Sequence, residues 1–262
     1  MTPGLSFFRW RWGSQDMERR KNCFTISIRK FWKSARKKSG RGASFHSAPA
    51  ILKNVASVAE AVSRLESGKF KGLKIYPKLG YEPGHDLLRQ KLYPLCQEQR
   101  IPVLTHCSEG GIKHKNWNKE ECDAVTAPHA YKDILTEFPN LKLCLAHFGG
   151  DRAWKQYRKN LRRGHGPQTW VDDIVGMIRS GDFPNLWTDI SYTIFNFQEN
   201  FPALKDMLKD DVLRARVLFG SDFYMIKQEQ ETEKEISKKL RGDLTEAVYR
   251  QIAETNPAIW LG

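Results

Sequence analysis

Leu143-Cys144-Leu145-Ala146-His147 is a run of four apolar residues closed by a histidine, and Phe148-Gly149-Gly150 follows it. Three further runs have the same build: Pro102-Val103-Leu104-Thr105-His106, Leu186-Trp187-Thr188-Asp189 and Val217-Leu218-Phe219-Gly220-Ser221-Asp222. An earlier run, Gly72-Leu73-Lys74-Ile75-Tyr76-Pro77, joins the set. Short apolar stretches bounded by turn residues suit strands buried on both faces of a parallel sheet. Each run places a metal-binding or proton-moving side chain at or near its C-terminal end. A (β/α) barrel gathers its active site at that end, because the loops after the strands converge there.

The segments between the runs support this architecture. Val55, Val58, Ala59, Val62 and Leu65 repeat with helical period inside Ala48–Gly68. Leu87, Leu88, Leu92, Leu95 and Cys96 do the same inside Asp86–Arg100. Helices are also expected around 130–138, 170–179, 203–213 and 231–254. Lys74 to His106 is 32 residues, His106 to His147 is 41, His147 to Asp189 is 42 and Asp189 to Asp222 is 33. A βαβ unit needs about 30 residues or more, so each interval holds one strand, one helix and a loop. We therefore expect an α/β fold, a (β/α)8 barrel incomplete at its N-terminus, with five to six βα units present.

Charge divides the chain unevenly. Residues 1–41 carry twelve Lys/Arg against Asp16 and Glu18, whereas the remainder has 31 basic residues against 28 acidic ones. The division expected is a basic, disordered leader over 1–45 and a partial barrel over 46–262, with a strand-like patch at Phe24–Ile28. A nearly neutral body disfavours nucleic acid as a partner, although an Arg-rich, acid-poor arm is also what an organellar leader or a polyanion-binding tail looks like. Five cysteines form no CxxC pair, which fits a reducing, cytoplasmic setting. No run approaches the roughly 20 apolar residues of a membrane span.

His106, His147 and Asp222 form the candidate constellation. Two neutral imidazoles and a carboxylate on one rim suit a divalent metal, zinc first, and an Asp beside a bound water can accept its proton. The plainer alternatives are satisfied core histidines and, for His147, an acid or base that touches no metal. Lys74 shares its parity with Tyr76. It would bind a substrate anion or, once carboxylated, bridge metals, or else its stem is buried and its head reaches the rim. Asp189 is either part of the site or a turn cap. Glu109, on the loop above His106, is a candidate substrate contact. His46, His85, His114, His129 and His165 are expected in loops or at helix starts, with His46 the one upstream histidine that could reach the site.

The motifs Gly72–Pro77, Thr105–Gly111, Phe138–Gly150, Leu218–Phe223 and Asn256–Leu261 resemble the amidohydrolase-related proteins. These are metal-dependent TIM-barrel hydrolases and decarboxylases of the amidohydrolase superfamily. The resemblance spans about residues 65–262. It implies that His106 and His147 are the metal-site histidines after strands 5 and 6, that Asp222 is the strand-8 aspartate that binds metal and handles the proton, and that Lys74 lies on strand 4. It implies hydrolysis of a C–N or C–O bond in a small-molecule substrate, with decarboxylation as the variant. The family's strand-1 His-x-His pair has no counterpart anywhere in the chain. The expectation is thus a weakened metal site, a barrel completed by another chain (a homo-oligomer among the options), or a truncated and catalytically impaired barrel.

Overall fold

A computed structural model of the protein describes residues 8–11, 25–28, 43–47, 55–191, 197–220, 222 and 233–262; for 8–11, 25–28, 43–47, 55–57, 197 and 233 it describes the backbone alone. Eight strands lie side by side in chain order: β1 (Phe8–Arg11), β2 (Thr25–Ile28), β3 (Ala43–Ser47), β4 (Gly72–Ile75), β5 (Val103–Ser108), β6 (Leu143–Gly149), β7 (Leu186–Asp189) and β8 (Val217–Leu218). β2 pairs antiparallel with both β1 and β3, and every neighbour from β3 to β8 is parallel. The five strands expected around the polar residues all form, in order and in one sheet. They are part of a (β/α)8 barrel.

Of the three N-terminal strands, β2 coincides with the strand-like patch expected at Phe24–Ile28, while β1 and β3 were not expected. β1 and β2 fall within the stretch read as a leader, and β3 crosses its end at residue 45. Phe-Arg-Trp-Arg and Thr-Ile-Ser-Ile alternate apolar or aromatic with polar residues, which is the period of a strand. A count of charges conceals that period. His46 lies on β3 rather than in a loop, paired in register with Leu73, while Ser47 pairs with Lys74. His46 thus occupies a register position one residue out of step with the lysine.

Crossovers return the chain between the parallel strands. α1 (Val55–Glu66) precedes β4; a π-turned stretch, Leu88–Leu92, runs into α2 (Tyr93–Glu98) before β5. α3 (Lys119–Ala124) and α4 (Lys132–Glu137) precede β6, and α5 (Gly150–Arg163) and α6 (Trp170–Ser180) precede β7. α7 (Phe197–Met207) and α8 (Asp211–Arg214) precede β8, and α9 (Glu233–Asp243), α10 (Glu246–Arg250) and α11 (Asn256–Leu261) close the chain. The expected final helix is broken by a turn at Leu244–Thr245 and a π-turned stretch at Gln251–Thr255. α5, which follows the Gly149-Gly150 turn, is the one long helix among the described residues that the periodicity did not assign. Its apolar side is narrow: Ala153 and Trp154 are buried, Tyr157 half-buried, and the rest is mostly charged.

Alternation along the strands sorts their side chains into two cores. Leu73, Ile75, Val103, Leu143, Leu145, Leu186 and Val217 pack with helix residues such as Leu65, Trp154, Ile174 and Tyr249. Leu104, Cys144, Ala146, Trp187 and Leu218 face the other way, and among the described residues Trp260 and Leu261 of α11 join them there. α11 therefore plugs the inner face. Asn256 fixes it in place, its Nδ2 donating to the carbonyls of Arg214 (2.8 Å) and Val217 (2.7 Å) beside β8. Trp260 is fully buried. Truncating it leaves a cavity that the strand side chains around it cannot close. Trp260→Ala should cost about 3–5 kcal/mol of unfolding free energy, read as a lowered denaturant midpoint with an unchanged slope.

Candidate active site

The inner face changes character toward the C-terminal ends of the strands. Leu104, Cys144, Trp187 and Leu218 share this face with Lys74 and Asp189, which lie level with them, while His106, His147 and the partly buried Asp222 follow further along; all but Asp222 are buried. His106 and His147 meet edge to face, with ring centroids 4.9 Å apart. Tyr76, the residue after β4, stacks on His106 at 4.1 Å with the planes 11° apart, and its Oη lies 3.2 Å from His106 Nε2. Strand ends 30 to 41 residues apart in sequence thus deliver three rings to one place.

Backbone strain marks the same spot. Only four non-glycine residues among those described have positive φ, and His147 (70°), Phe148 (46°) and Asp222 (41°) are three of them. Gly149 and Gly150 continue the left-handed run at 85° and 82°. Such conformations cost of order 1–3 kcal/mol each outside glycine and persist only where surrounding contacts enforce them. At Gly150 a side chain is excluded outright, since a Cβ would come within 2.0 Å of Ser108 Oγ. The Gly-Gly pair is required by close approach of β5 and by handedness together.

Asp189 enforces the turn. Its Oδ1 accepts from the backbone N–H of His147 (3.0 Å), from that of Ser191 (2.9 Å) and from Ser191 Oγ (2.5 Å). Ser191 Oγ also lies 2.9 Å from His147 Nδ1. A carboxylate only accepts, so the serine gives its one proton to Asp189 and must accept from the histidine. His147 therefore carries its proton on Nδ1. We had weighed Asp189 as a site residue or a turn cap. It caps the turn, and the turn belongs to the site. Ser191 was not singled out, and neither was Lys78; no pattern in the sequence points to either.

Burial dominates the electrostatics. The Lys74 ammonium is desolvated, which brings its pKa down to about 8 even though the charges of Asp189 and Asp222 favour the cation. Burial pushes the Asp222 carboxyl up to about 7, with Lys74 pulling it down and Asp189 pushing it further up. Burial holds both histidines well below the usual imidazole value; Lys74 adds to this at each, and His147 adds to it at His106. Both rings are neutral at neutral pH, the form that binds metal or accepts a proton. Glu109 lies on the loop after β5, its carboxylate 3.9 Å from Lys119 Nζ and its backbone carbonyl accepting from Lys78 Nζ at 2.7 Å.

A divalent metal fits this set only in part. Two neutral imidazoles stand side by side, but among the described residues no three His, Cys, Asp or Glu side chains form a group able to hold an ion. The Nε2 of His106 is also engaged, by Tyr76 Oη and by the Gly110 carbonyl at 3.1 Å. A closed structural or catalytic site needs at least three protein ligands, so the described residues do not make one.

A family model described as amidohydrolase matches residues 20–262. The chain belongs to the amidohydrolase family. The match starts well upstream of residue 65, from which the resemblance was read, and takes in β2 and β3. No curated protein matches the chain. Among solved structures, this amidohydrolase-family chain is similar to an uncharacterized TIM-barrel protein from Bordetella bronchiseptica: 16% identity, TM-score 0.55, 85% of this chain and 67% of that one. It is also similar to a 2,6-dihydroxybenzoate decarboxylase from Rhizobium, again at 16% identity and TM-score 0.55, over 85% of this chain and 71% of that one. At that identity the likeness establishes the fold and leaves the reaction open. No helix among the described residues is long and apolar enough to cross a membrane.

The buried ionisable groups set how stability depends on pH. Burial pushes the thiols of Cys96, Cys107 and Cys144 up, against an unfolded value of about 8.5. Above that pH the unfolded chain releases protons the folded chain keeps, so this contribution is intact below about pH 8.5 and is lost as pH rises. Tyr81, Tyr93 and Tyr131 act alike from about pH 10. Lys74 opposes them, because between pH 8 and about 10.4 the unfolded chain holds more protons at that site. Burial also lowers the Lys78 and Lys142 ammoniums, which oppose the thiols in the same sense but are less deeply buried than Lys74; the three fully buried thiols set the sign. Melting temperature under reducing conditions should fall from pH 8 to pH 10, and more steeply in Lys74→Met; a flat or rising profile would contradict the burial of these groups.

Proposed function

We propose that the protein is a hydrolase that cleaves a C–N or C–O bond of a small molecule at the inner face of its barrel. One observation carries this reading. Lys74, His106, His147 and Asp222 arrive from four different strands at the C-terminal end of the sheet, in a buried space whose backbone is strained at His147 and Asp222. Asp222, titrating near neutrality, is suited to take the proton of an attacking water and return it to the leaving group. His147 keeps its proton on the Ser191 side, so its Nε2 is an acceptor, and the electrophilic role falls to Lys74. That ammonium, a cation at neutral pH in a desolvated site, can stabilise the oxyanion that forms at the attacked carbon. Glu109, at the rim, is the second proposed substrate contact.

The proposed ion ligands are His106, His147 and Asp222, with zinc favoured by that donor chemistry. Since the described residues do not bring them together as a group of three, no step above depends on an ion. The same observation favours a second reading, a barrel whose catalysis is impaired.

Purified full-length protein, its metal content measured, is to be assayed on ester, lactone, amide and carboxylic-acid substrates with and without added Zn2+ or Mn2+. Hydrolysis of at least one class is expected, reduced about 10²- to 10⁴-fold in Asp222→Asn. Release of CO2 without hydrolysis would reassign the site to decarboxylation. No turnover on any substrate, with no metal taken up, would replace the proposal by the impaired barrel.

A further inference from the structure

Lys78 is a buried cation that the proposed chemistry does not use. It sits two residues past Tyr76, 3% exposed, and its Nζ donates to three successive carbonyls: Ser108 at 3.3 Å, Glu109 at 2.7 Å and Gly110 at 3.1 Å. Consecutive carbonyl oxygens do not normally point at one spot, since their dipoles repel. An ammonium with three donors is what can gather them. The consequence falls on His106. With its chain turned in this way, Gly110 places its carbonyl oxygen 3.1 Å from His106 Nε2. Gly111, at φ +95°, then passes so close beneath Tyr76 and His106 that a Cβ there would lie 2.3 Å from Tyr76 Oη and 2.8 Å from His106 Nε2. Beyond it, the Ile112 N–H donates to Tyr76 Oη at 3.1 Å. The loop is pinned by Lys78 at one end and by Tyr76 at the other.

A carbonyl can only accept. We propose that Lys78 is a positioning residue: by fixing the 108–110 carbonyls it makes Gly110 the acceptor for His106 Nε2–H and so locks His106 in the Nε2–H tautomer, with the lone pair on Nδ1. His147 is held in the opposite tautomer, by the Ser191–Asp189 pair. The two adjacent rings thereby offer different nitrogens to whatever enters the site. The proposal rests on the reading of His106 as a working residue, but its test does not need turnover.

The test is nitrogen NMR of full-length protein labelled with 15N-histidine, with His106 and His147 assigned by their loss in His106→Asn and His147→Asn. Wild type should show His106 protonated on Nε2 and His147 on Nδ1, each as a single tautomer. His106 protonated on Nδ1, or averaged between the two, overturns the lock. In Lys78→Met the His106 signals should move toward averaging while those of His147 stay in place, and Lys78→Arg, which restores a multi-donor cation, should recover the single tautomer. Unchanged His106 signals in Lys78→Met remove Lys78 from the role. If Lys78→Met does not fold, Lys78→Gln, with two donors in place of three, takes its place and is read by the same two outcomes. Where the substrate panel gives turnover, Lys78→Met should lower kcat about 10- to 100-fold with KM little changed. A barrel inactive on the panel leaves the tautomer result standing, and a failed tautomer result leaves the hydrolase reading standing.

Discussion

The carboxylate of Asp189 is the contact on which the site depends. One oxygen receives two backbone N–H groups and a serine hydroxyl, all from residues that would otherwise leave the strand ends in separate directions. Hydrogen bonds to a charged acceptor contribute about 1.5–3 kcal/mol each. Three of them comfortably offset the cost of holding His147 and Phe148 in the left-handed region. Without that anchor, β6 would end as an ordinary strand and the His147 ring would turn away from His106.

The two histidines are thus neighbours for different reasons. His147 is placed by a turn that is itself strained, and its proton is fixed by Ser191 from below. His106 lies on β5 where its register with β6 begins to shift, and it is held by a stacked tyrosine and by a loop that folds back over it. Neither ring relies on the other for its orientation. A change in the 108–112 loop should therefore leave His147 as it is, and a change at Asp189 should act on His147 first.

What the sequence made legible follows from the same division. Strand-end residues could be found because a parallel sheet repeats: each βα unit returns the chain to the same rim, and period-2 alternation decides which face a residue takes. Lys74, His106 and Asp189 were readable on both counts; His147 was readable from its place at a strand end, but it shares its parity with the helix-facing Leu143 and Leu145 and turns inward only through its left-handed backbone. The groups that orient them were not. Lys78 reaches carbonyls 30 to 32 residues further on, and its contacts involve backbone that any residue type would supply. Ser191 acts through one hydroxyl in a loop. α5 went unassigned because its buried side amounts to little more than Ala153, Trp154 and Tyr157 against a mostly charged remainder, and tertiary packing against the sheet supplies what the periodicity lacks. β2 showed as the strand-like patch Phe24–Ile28, whereas β1 was hidden by its arginines although the alternation was present.

Charge balance explains why two neighbouring aspartates take different parts. The inner face holds one buried lysine ammonium, the buried carboxyl of Asp189 and the partly buried, desolvated carboxyl of Asp222, and one buried cation can compensate one buried anion. Asp189 is surrounded by donors that only a carboxylate could satisfy together. Asp222 has a desolvated setting and a second carboxylate in its field, which is why its pKa rises to about 7 while the ammonium holds it from rising further. Different surroundings assign like groups distinct duties. The aspartate rich in hydrogen bonds becomes scaffold, and the poorly compensated one becomes the group free to exchange a proton near neutral pH.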